Sequence, residues 1–404
     1  MNQQNTTLLI TGASHGLVHL LMLALPFITA KLLLITPVLP GQEGLVVLLL
    51  NTPAYFIFGF GALPAGVLCD HIGPRRTIIM GLSLSVIAGV VLFFLWPLGV
   101  IAITFLFVIY AFGAGLYHPA GTTWVSSTFE ENRGKALGRH GIGGSIGQAS
   151  APLISAFILS TTFWPIIFVF LSAVGLIIIF VTLRMKGSFY EVKPKSDPET
   201  KSSTGFFSLM TPAVMIIVSI IFTFRGMLYR GTVTALPVYI TTELHALLIL
   251  AGLFGTLIYI GGMVGQEVGG RLTDSYGWRK TLILMTAFSG VSLLLLAVPY
   301  VSTVFNDVLL IVAMLLFGFS FFSAQAANNT MVSILSSPES RGTVFGWSFF
   351  ARFGLGAFGI PIVALCQVYF GTWIIGFFMM ALLAFLATIL IPLVYQRQIR
   401  HEPL

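Results

Sequence analysis

Charge is scarce in this sequence: Asp, Glu, Lys and Arg together make up 8% of its 404 residues. A soluble domain carries about 25%. A water-facing surface cannot be covered with so few charges, so most of the chain must face lipid or other helices. Cysteine is nearly absent as well. Cys69 and Cys366 both lie in apolar stretches, and two thiols give neither a disulfide framework nor a zinc-ligand spacing. Met1 to Thr7 holds no Lys or Arg, which is not the basic opening of a cleavable signal, so the first apolar segment is expected to remain as a span. The nucleotide-binding pattern G-x-x-x-x-G-K-[ST] is missing, which argues against ATP as an energy source. Gly354-Leu355-Gly356-Ala357-Phe358-Gly359 matches a dinucleotide fingerprint, but no strand precedes it and it lies in an apolar run. No nucleophile–base–acid set is visible. The chain is therefore not expected to be an enzyme, and neither cofactor nor metal is called for.

What is present is apolar sequence, 57% of the chain. Divided by the roughly 20-residue helix that a bilayer demands, it gives about a dozen spans. Thr77–Tyr117, His140–Leu183 and Phe353–Gln396 carry no Asp, Glu, Lys or Arg, and each is two helices long. The breaks fall at Pro97-Leu98-Gly99, near Thr161-Thr162 and near Gly371. The spans read as about 8–35, 44–68, 77–97, 99–128, 136–160, 163–184, 207–238, 247–271, 279–299, 306–335, 342–366 and 371–395. The short alternating segments of a membrane β-barrel are absent. The fold class is an all-α membrane protein, with twelve transmembrane helices in two six-helix bundles.

In this layout 17 of the 20 Lys and Arg residues fall on one face, from Arg75 and Arg76 through Arg139, Arg271 and Arg352 to Arg400. Basic loops stay in the cytoplasm, so that face is cytoplasmic, and with an even span count both termini lie there. The net charge of +7 is thus a topology signal and does not call for nucleic acid. The one long polar stretch, Arg184–Gly205, is rich in Lys, Ser, Pro and Glu and reads as a linker. The expected division is an N-terminal half over 1–184, a linker over 185–206 and a C-terminal half over 207–404.

An internal repeat supports that division. Gly66-Val-Leu-Cys-Asp70-His-Ile-Gly73-Pro-Arg75-Arg76 follows the second span. Gly270-Arg-Leu-Thr-Asp274-Ser-Tyr-Gly277-Trp-Arg279-Lys280 follows the eighth. A second pair, beginning at Arg133 and Arg341, precedes the fifth and eleventh spans. Duplication of this kind is a recurring construction in transporters. These motifs resemble the major facilitator superfamily over essentially the whole chain. Tyr117-His118-Pro119-Ala120-Gly121, Arg133-Gly134, His140-Gly-Ile-Gly-Gly144 and the His19–Pro26 stretch are similar to the fosmidomycin-resistance type of efflux carrier. The resemblance implies that the loops around Asp70 and Asp274 stabilise the outward-open state, with Arg75, Arg76, Arg133, Arg279, Lys280 and Arg341 as further gating residues. It also implies that spans one and seven line a central cavity.

Charges inside a bilayer are costly and are functional candidates by default. Three basic residues fall outside the cytoplasmic set: Lys31, Arg225 and Arg230. Arg225 sits well inside span seven, as solute ligand or buried partner. Tyr229, four residues on, shares its face. Arg230 turns about 140° away, so both arginines reach one cavity only if Gly226 or Gly231 bends the helix. Lys31 and Arg230 lie nearer the outer end, where snorkelling to headgroups competes with binding. His15 and His19 share a face of span one. They read either as packing or as solute contact and proton relay; a metal would need a third ligand, which nothing in the sequence indicates. Glu267 in span eight is a proton-coupling candidate or a partner of Arg139, Arg271 or Arg352. Gln148, Gln325, Asn328 and Asn329 are further polar candidates, though such residues usually serve as glue between helices.

The reading is a monomeric, multi-pass secondary transporter of a bacterial inner membrane. It is expected to couple protons to the efflux of a small anionic compound by alternating access. An importer or exporter of a metabolite or carboxylate siderophore is the alternative. A non-transporting receptor or a membrane-embedded enzyme is the rival of a different class.

Overall fold

A computed structural model describes residues 3–36, 38–39, 41–129, 133–161, 163–185, 212–299, 304–335 and 341–398. The expected linker over 185–206 lies outside the described residues beyond Met185. Twelve helices are long and apolar enough to cross a membrane, and no strand occurs among the described residues. The first half contains α1 (Gln3–Ile35), α2 (Glu43–Ile72), α3 (Pro74–Leu95), α4 (Val100–Gly115), α5 (Tyr117–Thr128), α6 (Arg133–Leu159) and α7 (Ile166–Arg184). The second contains α8 (Pro212–Val238), α9 (Leu248–Tyr276), α10 (Trp278–Leu296), α11 (Val304–Ile334), α12 (Arg341–Phe349), α13 (Gly359–Phe370) and α14 (Ile374–Gln398). Large apolar side chains such as Ile101, Phe105, Phe157 and Ile389 remain exposed. A soluble protein would bury them, whereas here they form the surface that faces lipid.

Two spans are interrupted partway along, and the seventh ends in a π-turn over Tyr239–Glu243. The fourth breaks at Leu116 between α4 and α5. Pro119 has no N–H to donate to the carbonyl four residues back, so the backbone is freed at Gly115 and the helix resets. The eleventh carries a π-turn over Phe350–Gly354 and a 3₁₀ turn over Leu355–Phe358 between α12 and α13. Such π-turns occur often at functional sites.

The repeat is exact enough to see in the backbone. Gly73 has φ 83 and ψ 153, and Gly277 has φ 83 and ψ 154. Positive φ is a conformation that side chains with a Cβ resist, which is why both motifs carry glycine there. Thr77 and Thr281 each donate a hydroxyl hydrogen bond of 3.0 Å to the carbonyl of those glycines. The first basic residue of each motif has a clear role inside its own half. Arg75 donates to the carbonyls of Thr182 (2.6 Å), Leu183 (3.2 Å) and Met185 (3.3 Å) at the end of α7. Arg279 reaches the Pro392 carbonyl in α14 at 3.5 Å. Helix C-termini leave carbonyls unpaired and carry negative potential, so a guanidinium is a favourable cap. Asp70, Arg76, Asp274 and Lys280 are exposed at the same end, and the side chains of Arg133 and Arg341 lie outside the described residues. Arg75→Ala is expected to lower the melting temperature of purified protein, by about 2–4 °C for each ~1 kcal/mol lost from a half of this size. An unchanged melting curve would show that the cap adds nothing.

The halves meet at the end opposite these basic loops. In α2, Glu43 accepts a hydrogen bond of 2.7 Å from the Gln367 side chain of α13, whose amide oxygen accepts the Gly44 N–H at 2.8 Å. In α9, Gly252 packs on Pro152 and Ala156 of α6. Near mid-span, Gly59 packs directly on the backbone of Phe353 and Gly354.

Candidate solute-binding cavity

Between the halves lies a cavity of about 710 Å³, within the size range of small-molecule sites. It is walled by α1, α5, α6, α8, α9, α11 and the broken eleventh span. It extends toward the basic end of the molecule, where Gly138 and Asn329 line it. With the opposite end packed shut, this is a one-sided opening.

How the first span comes so close to the sixth helix explains half of the site. Gly12 and Gly16 of α1 face Gly143 and Gly147 of α6: a Cβ on Gly143 would run into the Gly12 backbone, one on Gly147 into the Gly16 backbone, and one on Gly16 into the Gly143 carbonyl. Small residues at spacing four allow that approach. Gly144 then leaves room for the His15 ring, which a Cβ there would meet at 2.5 Å. His15 Nε2 lies 3.1 Å from His19 Nε2. The break at Leu116 turns His118 into the same space, with ring centroids 5.2 Å from His15 and 5.3 Å from His19. His140 stacks on His15 at 4.7 Å. Four of the seven histidines in the chain thus form one cluster, and three of them, His15, His19 and His118, line the cavity. The sequence paired only His15 with His19; the fold places His118 beside both.

The second half contributes arginine. Arg225 is buried and donates to the Thr286 hydroxyl at 2.5 Å and to the Phe321 carbonyl at 3.2 Å. It ties α8 to α10 and α11 and does not itself line the cavity. Arg230 is also buried, with its guanidinium 4.2 Å from the Tyr55 ring centroid and 5.2 Å from that of Phe353. The two point to different partners, as their turn around the helix requires. Gly226 and Gly231 give the eleventh span close access to α8, Gly226 to Arg352 and Gly356, and Gly231 to Gly359. Snorkelling by Arg230 is excluded by its burial among rings from both halves.

Arg352 is the main correction. Charge counting placed it on the cytoplasmic face. Instead it lies in the π-turn of the eleventh span, 8% exposed, and it lines the cavity. Its Nε finds no hydrogen-bond partner among the described residues. Its guanidinium is 5.4 Å from the Phe222 ring and 5.8 Å from that of Phe353. No buried acid occurs among the described residues. A cation in low dielectric without a counter-ion is expensive, so the cavity wall is a place where negative charge is stabilised.

Other candidates fall on either side of the wall. Tyr229, Gln148, Gln325 and Asn329 line the cavity, and Tyr229 shares a 2.9 Å hydrogen bond with Tyr259. Asn328 does not: it is buried, with neither side-chain atom partnered among the described residues. Glu267 is on an exposed face, in a 2.8 Å ion pair with Arg271, and is not part of the cavity. Lys31 is half-buried near the end of α1 and also lies outside it.

The model of the Major Facilitator Superfamily matches residues 7–361. Among curated proteins, the chain is 23% identical to a probable 4-methylmuconolactone transporter of Cupriavidus pinatubonensis, over 80% of this chain and 75% of that one. It is 22% identical to the riboflavin transporter RibZ of Clostridioides difficile, over 71% of this chain and 72% of that one. Among solved structures it resembles a D-xylose–proton symporter with a TM-score of 0.81 at 13% identity, covering 96% of this chain and 97% of that one, a likeness of fold. Twelve spans in a duplicated arrangement, a cavity between the halves and the match along most of the sequence lead to one conclusion: this chain is a multi-pass membrane transporter belonging to the Major Facilitator Superfamily.

Proposed function

We propose that the chain is a proton-coupled carrier that exports a small anionic solute across a bacterial inner membrane by alternating access, in the manner of the fosmidomycin-resistance type of efflux carriers. The observation that carries this reading is the set of three buried guanidinium groups, Arg225, Arg230 and Arg352, with no buried acid among the described residues. Arg352 is the anchor, because it alone of the three lines the cavity; the Nε of each of the three has no hydrogen-bond partner among the described residues. A planar guanidinium matches a carboxylate or phosphonate in a two-point contact. Tyr229, Gln325 and Asn329 supply neutral hydrogen bonds beside it.

The coupling proton is assigned to the histidine cluster, with His19 at its centre, since imidazole changes charge near neutral pH. Glu267 is left to its Arg271 pair. The basic end is taken as the cytoplasm, with 1–184 and 207–404 as the two rocking units, the protein acting as a monomer, and the cavity loading from that side. The exposed Asp70 and Asp274 loops are then apart in this state and would meet in the other. Thermal melting of the purified protein against a panel of carboxylates and phosphonates tests the substrate class. A ligand at 100 times its dissociation constant adds about 2.7 kcal/mol. A selective upward shift with an anion is expected. Stabilisation by neutral or cationic analogues, with none from any anion, would overturn the reading.

A further inference from the structure

The geometry points to a divalent transition-metal site on His15, His19 and His118, with its open coordination position facing the cavity, where an anionic ligand completes it. The ligating nitrogens of these three residues all lie within 4.8 Å of one another. The closest pair, at 3.1 Å, already matches the edge of a tetrahedron of nitrogens 2.0–2.1 Å from a metal, about 3.3 Å. His15 and His19 come from one helix face at spacing four, the spacing by which a helix offers two imidazoles to one ion. His118 comes from another span, so the set resists both slipping along a helix and collapse.

Two further details favour a metal over simple packing. The His15 Nδ1 lies 3.4 Å from the His140 carbonyl oxygen. A ring N–H donated to a carbonyl leaves the Nε2 lone pair aimed at the other two histidines, which is how metal-bound histidines are commonly oriented. His118 Nε2 is buried with no hydrogen-bond partner among the described residues, an unmet group that coordination would satisfy.

The donor set also fixes what kind of ion fits. Imidazoles without carboxylates suit zinc, copper, nickel or iron, and not magnesium, calcium or manganese. Three imidazoles bound through their lone pairs leave the full double charge on the ion, and it competes with the coupling proton for the same nitrogens. No buried carboxylate among the described residues offsets it, and Arg230 and Arg352 add to it. The ion therefore demands an anion at its fourth position. Arg352, which lines the same cavity, can hold the far end of such an anion. The bound species is then a metal–anion complex spanning both halves. This part rests on the anionic-solute reading; the metal site itself does not.

The experiment uses the full chain, purified without a histidine tag, and Co²⁺ alone as the probe. Three imidazoles should give visible d–d absorption of tetrahedral intensity, and Co²⁺ should raise the melting temperature. His118→Ala and His19→Ala should each abolish those bands and weaken binding by more than the ~100-fold that changes outside the ligand set cost. A melting curve without metal shows that each variant is folded, and His71→Ala, at an exposed histidine, should bind Co²⁺ as the wild type does. Adding a carboxylate or phosphonate should shift the bands, and Arg352→Ala should keep the Co²⁺ bands while losing that shift. Absence of tetrahedral bands in the wild type, or their survival in His118→Ala, would overturn the metal site. Bands that no anion perturbs would overturn the shared complex and leave the anion reading to its own melting test.

Discussion

Arg352→Ala is expected to weaken solute binding by about 10- to 150-fold, with little change in the melting temperature of the empty protein. A hydrogen bond to a charged group is worth about 1.5–3 kcal/mol, and each 1.4 kcal/mol is tenfold in affinity. The small stability cost follows from the same geometry. Arg352 makes ring contacts with Phe222 and Phe353 but no hydrogen bond through Nε, so its removal takes away a buried charge and few contacts. Arg352→Lys should recover part of the affinity, because it keeps the charge and loses the planar fork. Arg225→Ala should behave oppositely. It leaves the Thr286 hydroxyl and the Phe321 carbonyl of the packed second half without their partner, so the melting temperature should fall before the affinity does. Binding isotherms and melting curves on the same preparations separate the two patterns. Equal anion affinity in wild type and Arg352→Ala would remove Arg352 as the anchor.

A leucine in place of Gly59 is expected to stop transport while leaving a folded protein. The Gly59 Cβ position is 2.6 Å from the Phe353 carbonyl carbon and closer still to Gly354. A side chain there must push α2 away from the eleventh span, and those two elements belong to different halves. Overpacking costs about 1–3 kcal/mol. Here that cost falls only on the arrangement in which the end opposite the basic loops is shut. It therefore shifts the population toward the other arrangement by roughly 5- to 150-fold. The Glu43–Gln367–Gly44 contacts should open with it. Spin labels at exposed positions 42 and 370, one in each half, would report a longer distance in Gly59→Leu than in the parent. Unchanged distances with normal transport would mean that the contact does not govern the cycle.

The fold was legible because a bilayer leaves few choices. Runs free of charge had to be helices, and the two loop motifs announced the duplication; even the positive φ of Gly73 and Gly277 could be anticipated from glycine at equivalent positions. The site was less legible for reasons that are also physical. Arg352 belonged by count to a basic face, and only the π-turn and the depth of the span show it to be buried. His118 and His140 are far from His15 along the chain, and nothing local joins them. What brings them together is a proline break in one case and a glycine-lined helix contact in the other, both visible in the sequence but silent about what they approach. Asn328 and Asn329 differ by one residue, which on a helix is 100°, so the polar run could not say which faces the cavity. Glu267 drew attention as an acid inside a span, yet its face is outward and Arg271 one turn on neutralises it.

Transport by the purified wild-type chain in proteoliposomes, under an imposed proton gradient, bears most directly on an anion carrier built around buried arginine. The solutes should be matched in size and differ only in charge, such as an organic carboxylate and its amide. The carboxylate should cross, with proton movement in the opposite sense, and the amide should not. Equal movement of the amide, or movement of the carboxylate at the same rate with no gradient and no proton flux, would contradict the account.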